Sequence, residues 1–321
     1  MPATPDLKRY VPQPSASKRP PYTTDAPGAA PEKGQGIPRR NLRTKDGLDS
    51  VPEEGVTTLY SLLRRATAKY GNARALGTRA LKQMHNEEKA IKKVVDGKET
   101  MLNKKWQFYE LSAYQYDSFT QFEQRCLAVG SAIAELGIQH PDRVHLFAAT
   151  HPSWLTFAHG AWSRNVSIVT AYDTLGEAGL QHSVLQTKSK AGFVDPHNLP
   201  TLINPLREAN DVQFVIYNDG DSAVCKTEPA KLELDLEKLK QNHPNVKVLS
   251  FSDLLALGKK VVDPVPPRPD DLACVMYTSG STVSKWRENT LRPCRHSFHR
   301  LHSQLQVFAL TPHRALPKVW R

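Results

Sequence analysis

Six short apolar runs mark the second half of the chain: Val144–Ala149, Val166–Ala171, Gly192–Asp195, Val212–Tyr217, Val246–Phe251 and Leu272–Met276. Each has the length of a strand buried on both faces, and each is followed by polar or amphipathic sequence. The first gap contains a predicted helix over Pro152 to Trp162, with proline near its start, where a missing N–H costs nothing. Gly176 to Thr187 and Leu199 to Ala209 are predicted as helices in the same way. Strands that alternate with helices imply an α/β fold with a mostly parallel sheet. Ligands of such sheets bind at the carboxyl ends of the strands.

The first half of the chain follows a different pattern. Thr57 is placed to cap a helix whose apolar positions are Leu59, Leu62, Leu63, Ala66 and Tyr70, with Gly71 as its stop. Ser118 and Gln121 have the spacing of a capping box. The helix after them carries Phe119, Phe122, Cys126, Val129, Ile133 and Leu136 on one face and ends at Gly137. On that face Cys126 is a core thiol rather than a nucleophile. Between the two helices, residues 84–105 are densely charged and are predicted as an exposed helix and turn, with Asp96-Gly97 as the turn signal. Trp106 to Tyr116 mixes aromatic and polar residues in the manner of strands.

Residues 1–50 hold nine prolines among many Ser, Thr, Gly and Lys. Such sequence buries too little to offset its ordering entropy and is expected to be a disordered arm, with Arg39, Arg40 and Arg43 solvated. The expected division is an arm over 1–50, a domain over 51–282 and a basic tail over 283–321.

Composition narrows the function classes. A hydrophobic content of 39% and a charged content of 23% suit a globular protein. The net charge of +11 suggests nucleic acid until its distribution is considered. Residues 283–321 hold eight Lys and Arg against one acid, Glu288, so the rest of the chain is only mildly basic. No specific nucleic-acid partner follows. Cys126, Cys225, Cys274 and Cys294 are far apart, which favours reduced thiols on the cytoplasmic side. No apolar run is long enough to span a bilayer. Neither the Pro-rich start nor the final Lys318-Val319-Trp320-Arg321 has the form of a targeting signal. A peripheral contact with an organelle or plasma membrane stays open.

The chemistry-bearing stretch follows the last apolar run. Tyr277-Thr278-Ser279-Gly280-Ser281-Thr282 is a loop of hydroxyls around one glycine, directly after a predicted strand. Gly280 lets the backbone approach a phosphate, and N–H groups with Thr and Ser hydroxyls supply donors. It is not a Walker A loop, since no Gly-Lys-Ser/Thr follows. Asp173 and Thr174 read as a turn or cap before the next helix. His140, His145, His151, His159, His182 and His197 have no metal-ligand spacing. In the tail, Cys294, His296, His299 and His302 match no standard zinc pattern.

Tyr277 to Thr282 resembles the phosphate-binding loop of the adenylate-forming enzymes. Two further stretches narrow the resemblance to the fungal long-chain fatty acyl-CoA synthetases. One is Val94-Val95-Asp96-Gly97-Lys98-Glu99-Thr100 with Lys104-Lys105-Trp106 and Tyr109-Glu110-Leu111-Ser112. The other is Val169-Thr170-Ala171-Tyr172-Asp173-Thr174-Leu175-Gly176. The likeness covers about residues 36–282. It implies part of the large N-terminal domain of that fold and a ligase that joins a fatty acid to CoA through an acyl-adenylate, using ATP, Mg2+ and CoA. Tyr277, Thr278, Ser279, Gly280, Ser281 and Thr282 would then contact the ATP phosphates.

After Thr282 the resemblance stops. The family continues Gly-x-Pro-Lys-Gly; this chain continues Val283-Ser284-Lys285-Trp286-Arg287. A shifted reading frame or a retained intron after the codon for Thr282 is the simplest account. Family members run to about twice this length, so catalysis by these 321 residues alone is not expected. The competing expectations are a phosphate-binding fragment without turnover and an interaction protein working through its basic tail.

Overall fold

The computed structural model describes residues 21–47, 51–95, 98–172, 175–223 and 226–277. Two very short strands open it: β1, Thr23–Asp25, and β2, Arg39–Asn41, paired antiparallel. Within the stretch expected to be a disordered arm, residues 21–47 therefore contain ordered pairing. Arg39 fixes it, donating from Nε to Thr23 Oγ1 and from Nη1 to Asp25 Oδ1 at 2.8 and 2.7 Å.

Helix α1, Leu59–Tyr70, is capped by Thr58, one residue later than expected, in a reciprocal box with Ser61. Gly71 ends it at φ +47°, a left-handed value that favours glycine. Strand β3, Arg74–Thr78, follows.

The largest departure from the sequence reading comes next. Residues 84–105, expected as a helix and turn, belong to a long antiparallel hairpin of β4, Leu81–Val95, and β5, Lys98–Leu111. Val95 pairs with Lys98, so the turn signal Asp96-Gly97 falls between the strands; those two residues are outside the described set. The local charge spacing of β4 suits a helix. It is overridden by the aromatic β5, which offers a cross-strand partner at almost every position.

Strand β6, Gln115–Ser118, pairs with β3, and Ser118 then caps α2, Phe119–Glu135, in the expected box with Gln121. From there the alternation holds: β7, Arg143–Phe147; α3, Pro152–Trp162; β8, Ser167–Thr170; α4, Glu177–Thr187; β9, Ala191–Val194; β10, Phe214–Tyr217; α5, Pro229–Asn242; β11, Lys247–Ser250; α6, Phe251–Leu257; and β12, Cys274–Met276. Every predicted apolar run coincides with one of these strands, although β7 and β9 each begin one residue before the run. The helix expected over Leu199 to Ala209 is instead two short 3-10 segments, Pro196–Leu202 and Pro205–Arg207. Pro200 and Pro205 remove the N–H groups that an α-helix needs there.

β7 to β12 form one parallel sheet of spatial order β11-β10-β9-β7-β8-β12. Alternating side chains send Val144 and Leu146 to one face and His145 and Phe147 to the other. The first face packs against α2, α3 and α6 through Val129, Ile133, Phe157 and Leu254. The second packs against α4, α5 and the 3-10 segments through Leu180, Leu199, Leu206 and Leu239. Coverage on both faces explains why these strands read as continuous apolar runs. Cys126 is buried with Leu63 and Phe122 in a third cluster, a core position as expected.

Candidate functional site

The sheet reverses its order between β7 and β9: β8 and β12 lie on one side of β7, and β9, β10 and β11 lie on the other. That reversal opens the carboxyl edge, the place where α/β sheets bind ligands. Asp195, the residue after β9, sits there fully buried. Its Oδ2 accepts the backbone N–H of Ala149, beyond β7, at 2.7 Å, and its Oδ1 accepts the side-chain amide of Asn218, beyond β10, at 3.1 Å. Asn218 also donates its backbone N–H to Val194 O at 2.9 Å. One carboxylate thus ties three strand ends together. The other amide atom of Asn218, Oδ1, is buried without a hydrogen-bond partner.

β12 ends at the same edge. It pairs with β8 and, among the described residues, with no second strand. Its amino end is anchored by Trp162, whose Nε1 donates to Ala273 O at 2.9 Å, and by Ser167, whose Oγ donates to Leu272 O at 2.7 Å. Of the predicted phosphate loop only Tyr277 is described; Thr278, Ser279, Gly280, Ser281 and Thr282 lie outside the described residues, as do Asp173, Thr174 and the tail. Tyr277 is half-buried against α4. Its phenol donates to Gln186 Oε1 at 3.0 Å, and its ring meets that of His182 at 6.3 Å. Burial raises its pKa, so the phenol stays a donor. The root of the loop is thereby fixed to the helix that connects β8 to β9.

Ser183 of the same helix lies 2.8 Å from Nε2 of His145 on β7. His145 is fully buried, and desolvation lowers its pKa to about 4, so it is a neutral core histidine. His159 behaves alike, at about 4, wedged edge-on between Phe122 and Trp162. Cys274 is half-buried, and desolvation raises its thiol to about 11. None of these groups has the ionisation of a nucleophile or base.

A cleft of about 240 Å3 lies at the opposite edge, lined by Val56, Leu59, Trp162, Val166, Asp271 and Leu272 among others. Val166 and Leu272 precede β8 and β12, so this cleft faces the amino ends of the strands, away from Tyr277. Asp271 is engaged there, accepting from Asn165 Nδ2 at 2.8 Å and Arg268 N at 2.7 Å.

Among the described residues no group of three His, Cys, Asp or Glu side chains converges to hold a metal ion, so no magnesium ligand is assigned to them. No described helix is long and apolar enough to cross a membrane. Sequence reasoning missed the Asp195–Asn218 pair. The available signal was a polar residue closing an apolar run at Asp195 and another immediately after a run at Asn218.

Comparison with known proteins shows the family of the chain. A family model described as AMP-binding enzyme matches residues 98–283, more than half of the chain, and the match ends one residue past Thr282. The chain is 40% identical over 265 residues to long-chain-fatty-acid–CoA ligase 1 of Saccharomyces cerevisiae, covering 79% of this chain and 38% of that protein. It is 36% identical over 263 residues to a palmitoyl-CoA ligase of Gibberella moniliformis, again covering only 36% of the relative. Among solved structures, the adenylation domain of a carboxylate reductase from Mycobacterium chelonae superposes with a TM-score of 0.56 at 22% identity, over 73% of this chain and 34% of that one. This last likeness concerns the fold.

Proposed function

Because the chain belongs to the AMP-binding enzyme family, with fungal long-chain-fatty-acid–CoA ligases as relatives, we propose that it is the first part of a long-chain fatty acid–CoA ligase and supplies the phosphate-holding edge of that enzyme. The observation that carries this reading is the identity of 40% to the Saccharomyces cerevisiae ligase, beside a family match over residues 98–283 that takes in the strand anchored at the carboxyl edge of the sheet. A carboxylate is a poor electrophile, and adenylation gives it a good leaving group. In the proposed reaction the fatty acid carboxylate attacks the α-phosphate of ATP, pyrophosphate departs, and the CoA thiol then displaces AMP. Charge on the departing phosphates needs preorganised donors. Thr278, Ser279, Ser281 and Thr282 would provide hydroxyls, Gly280 a close backbone and Tyr277 a fixed starting point. Mg2+ would neutralise phosphate charge when bound.

The chain spans 38% of its Saccharomyces cerevisiae relative and 36% of its Gibberella moniliformis relative. We therefore propose that the 321 residues bind ATP phosphates without completing acyl transfer. Two measurements on the purified chain test this. Equilibrium binding of Mg-ATP should be detectable and should weaken by about tenfold or more in a Thr278→Val, Ser279→Ala double variant, the cost of lost hydrogen bonds to a charged group. Binding that is absent, or equal in wild type and variant, overturns the phosphate assignment. Formation of palmitoyl-CoA from palmitate, ATP and CoA would overturn the inactivity.

A further inference from the structure

The hairpin of β4 and β5 leaves the body of the chain at Leu81, whose N–H bonds to Asp221 O at 3.0 Å. Among the described residues neither strand has a further strand beside it. β4 runs for 15 residues and β5 for 14, against about five or six in an ordinary strand. Each outer edge therefore presents a long row of backbone N–H and C=O groups with no ladder partner. A two-stranded ribbon is marginal in water and gains from further strands. Charged side chains on an edge usually deter such pairing, because like charges meet across the new ladder. On β4 the order of the charges does the reverse.

Glu87 and Glu88 precede Ala90, and Lys92 and Lys93 follow it. When two copies of one strand pair antiparallel, residues at equal distances on either side of the two-fold centre face each other. Ala90 is the only centre on β4 at which both acids face lysines: Glu88 faces Lys92 of the second copy, Glu87 faces position 93, and the two-fold repeats both. Facing positions are an even number of residues apart in sequence, so they share one face of the pleat. No centre on β5 brings both of its acids, Glu99 and Glu110, opposite lysines. Within one copy Glu88 Oε1 meets Lys105 at 3.4 Å and Glu87 Oε2 meets Lys89 at 2.9 Å, both in exposed pairs of small worth. Each contact uses one carboxylate oxygen and leaves the other for a second copy. Lysine and glutamate thus give this edge no pull toward a surface of one sign, and their order makes it its own complement. We propose that two copies of the chain pair antiparallel along β4, centred on Ala90, into a four-stranded sheet of order β5-β4-β4-β5. At about 3.4 Å per residue, Leu81 of each copy lies about 30 Å from the centre, on opposite sides, so the two bodies do not collide. The proposal does not depend on the ligase reading.

Sedimentation equilibrium of the full 321-residue chain tests it. A dimer is expected at micromolar concentration, weakening as salt screens the pairs. Glu88→Lys and Lys92→Glu should each raise the dissociation constant about tenfold, because the two-fold doubles every like-charge meeting. An equimolar mixture of these two variants should recover the wild-type value, since the copy with two lysines then faces the copy with two acids. The chain carrying both substitutions should recover it as well, which separates lost pairing from lost folding. Register is read by mild oxidation of an Ala90→Cys variant: across an antiparallel pair the two Cβ atoms lie about 4.5–5.5 Å apart, and peptide mapping should find position 90 joined to position 90. A chain that stays monomeric, whether or not it binds lipid vesicles, a dimer indifferent to both charge reversals, a mixture that does not recover, or position 90 joined elsewhere each overturns the proposal.

Discussion

Asp195 and Asn218 lie 23 residues apart and meet at 3.1 Å with both side chains out of solvent. The second oxygen of the same carboxylate holds the chain beyond β7 through Ala149 N–H. A buried carboxylate is costly unless its lone pairs are filled, so this pair defines the geometry of the sheet's carboxyl edge as well as stabilising it.

Asp195→Ala should destabilise the chain by about 3 kcal/mol, because it removes two charge-assisted bonds and leaves buried donors unmet. Asp195→Asn should cost less, since one oxygen remains to accept from Ala149 N–H. Urea unfolding followed by circular dichroism measures both. A change under about 0.5 kcal/mol for Asp195→Ala, the range of ordinary surface sites, would remove its structural role.

His145 gives a pH dependence of defined sign. Its folded pKa of about 4 lies below the ordinary 6.5, because burial excludes the charged form. The unfolded chain therefore binds the extra proton between these values, and stability falls as pH drops from about 6.5 to about 4. His159 acts in the same direction. His145→Asn should flatten the slope of unfolding free energy against pH in that window by about 1 kcal/mol per unit, while leaving the part owed to His159. Urea unfolding at several pH values between 4 and 7 provides the slopes, and identical slopes would contradict the assignment.

Gly258, at the end of α6, marks the tightest approach between α6 and α2. A Cβ built there would lie 1.8 Å from the carbonyl oxygen of Ala128. Backbone cannot yield as a side chain can, so Gly258→Ala should force α6 away from α2 and cost about 2–3 kcal/mol. A thermal melt compared with that of Gly176→Ala, where the added methyl group meets nothing within 4 Å, isolates the effect from glycine's backbone entropy.

Much of the fold was legible because its information is local. The bounds of α3 follow from Pro152 and the apolar stretch to Trp162, and the start of α2 from Ser118 and Gln121 three residues apart. The six apolar runs each overlap a strand to within a residue or a little more at its start and end, because a strand covered on both faces has no polar side to confuse the pattern. Tyr277 likewise falls where expected, at the end of β12.

Other features depend on a partner distant in sequence. Residues 84–105 have helical charge spacing, and only the aromatic stretch 106–111 folded back on them makes a hairpin of β4 and β5. Residues 199–209 differ from these in that the signal is local: their apolar pattern is helical, and Pro200 and Pro205 within the segment break it into 3-10 turns packed on the sheet. The sequence by itself determined which segments are strands and which helices across most of the sheet, since hydrophobic period and caps act within a few residues. The tertiary structure decided that β9 lies beside β7 with β8 on the far side, and so brought Asp195, Ala149 and Asn218 together. Strand order is a property of the packed whole: it depends on which apolar faces can be covered at once, and no stretch of residues carries that alone.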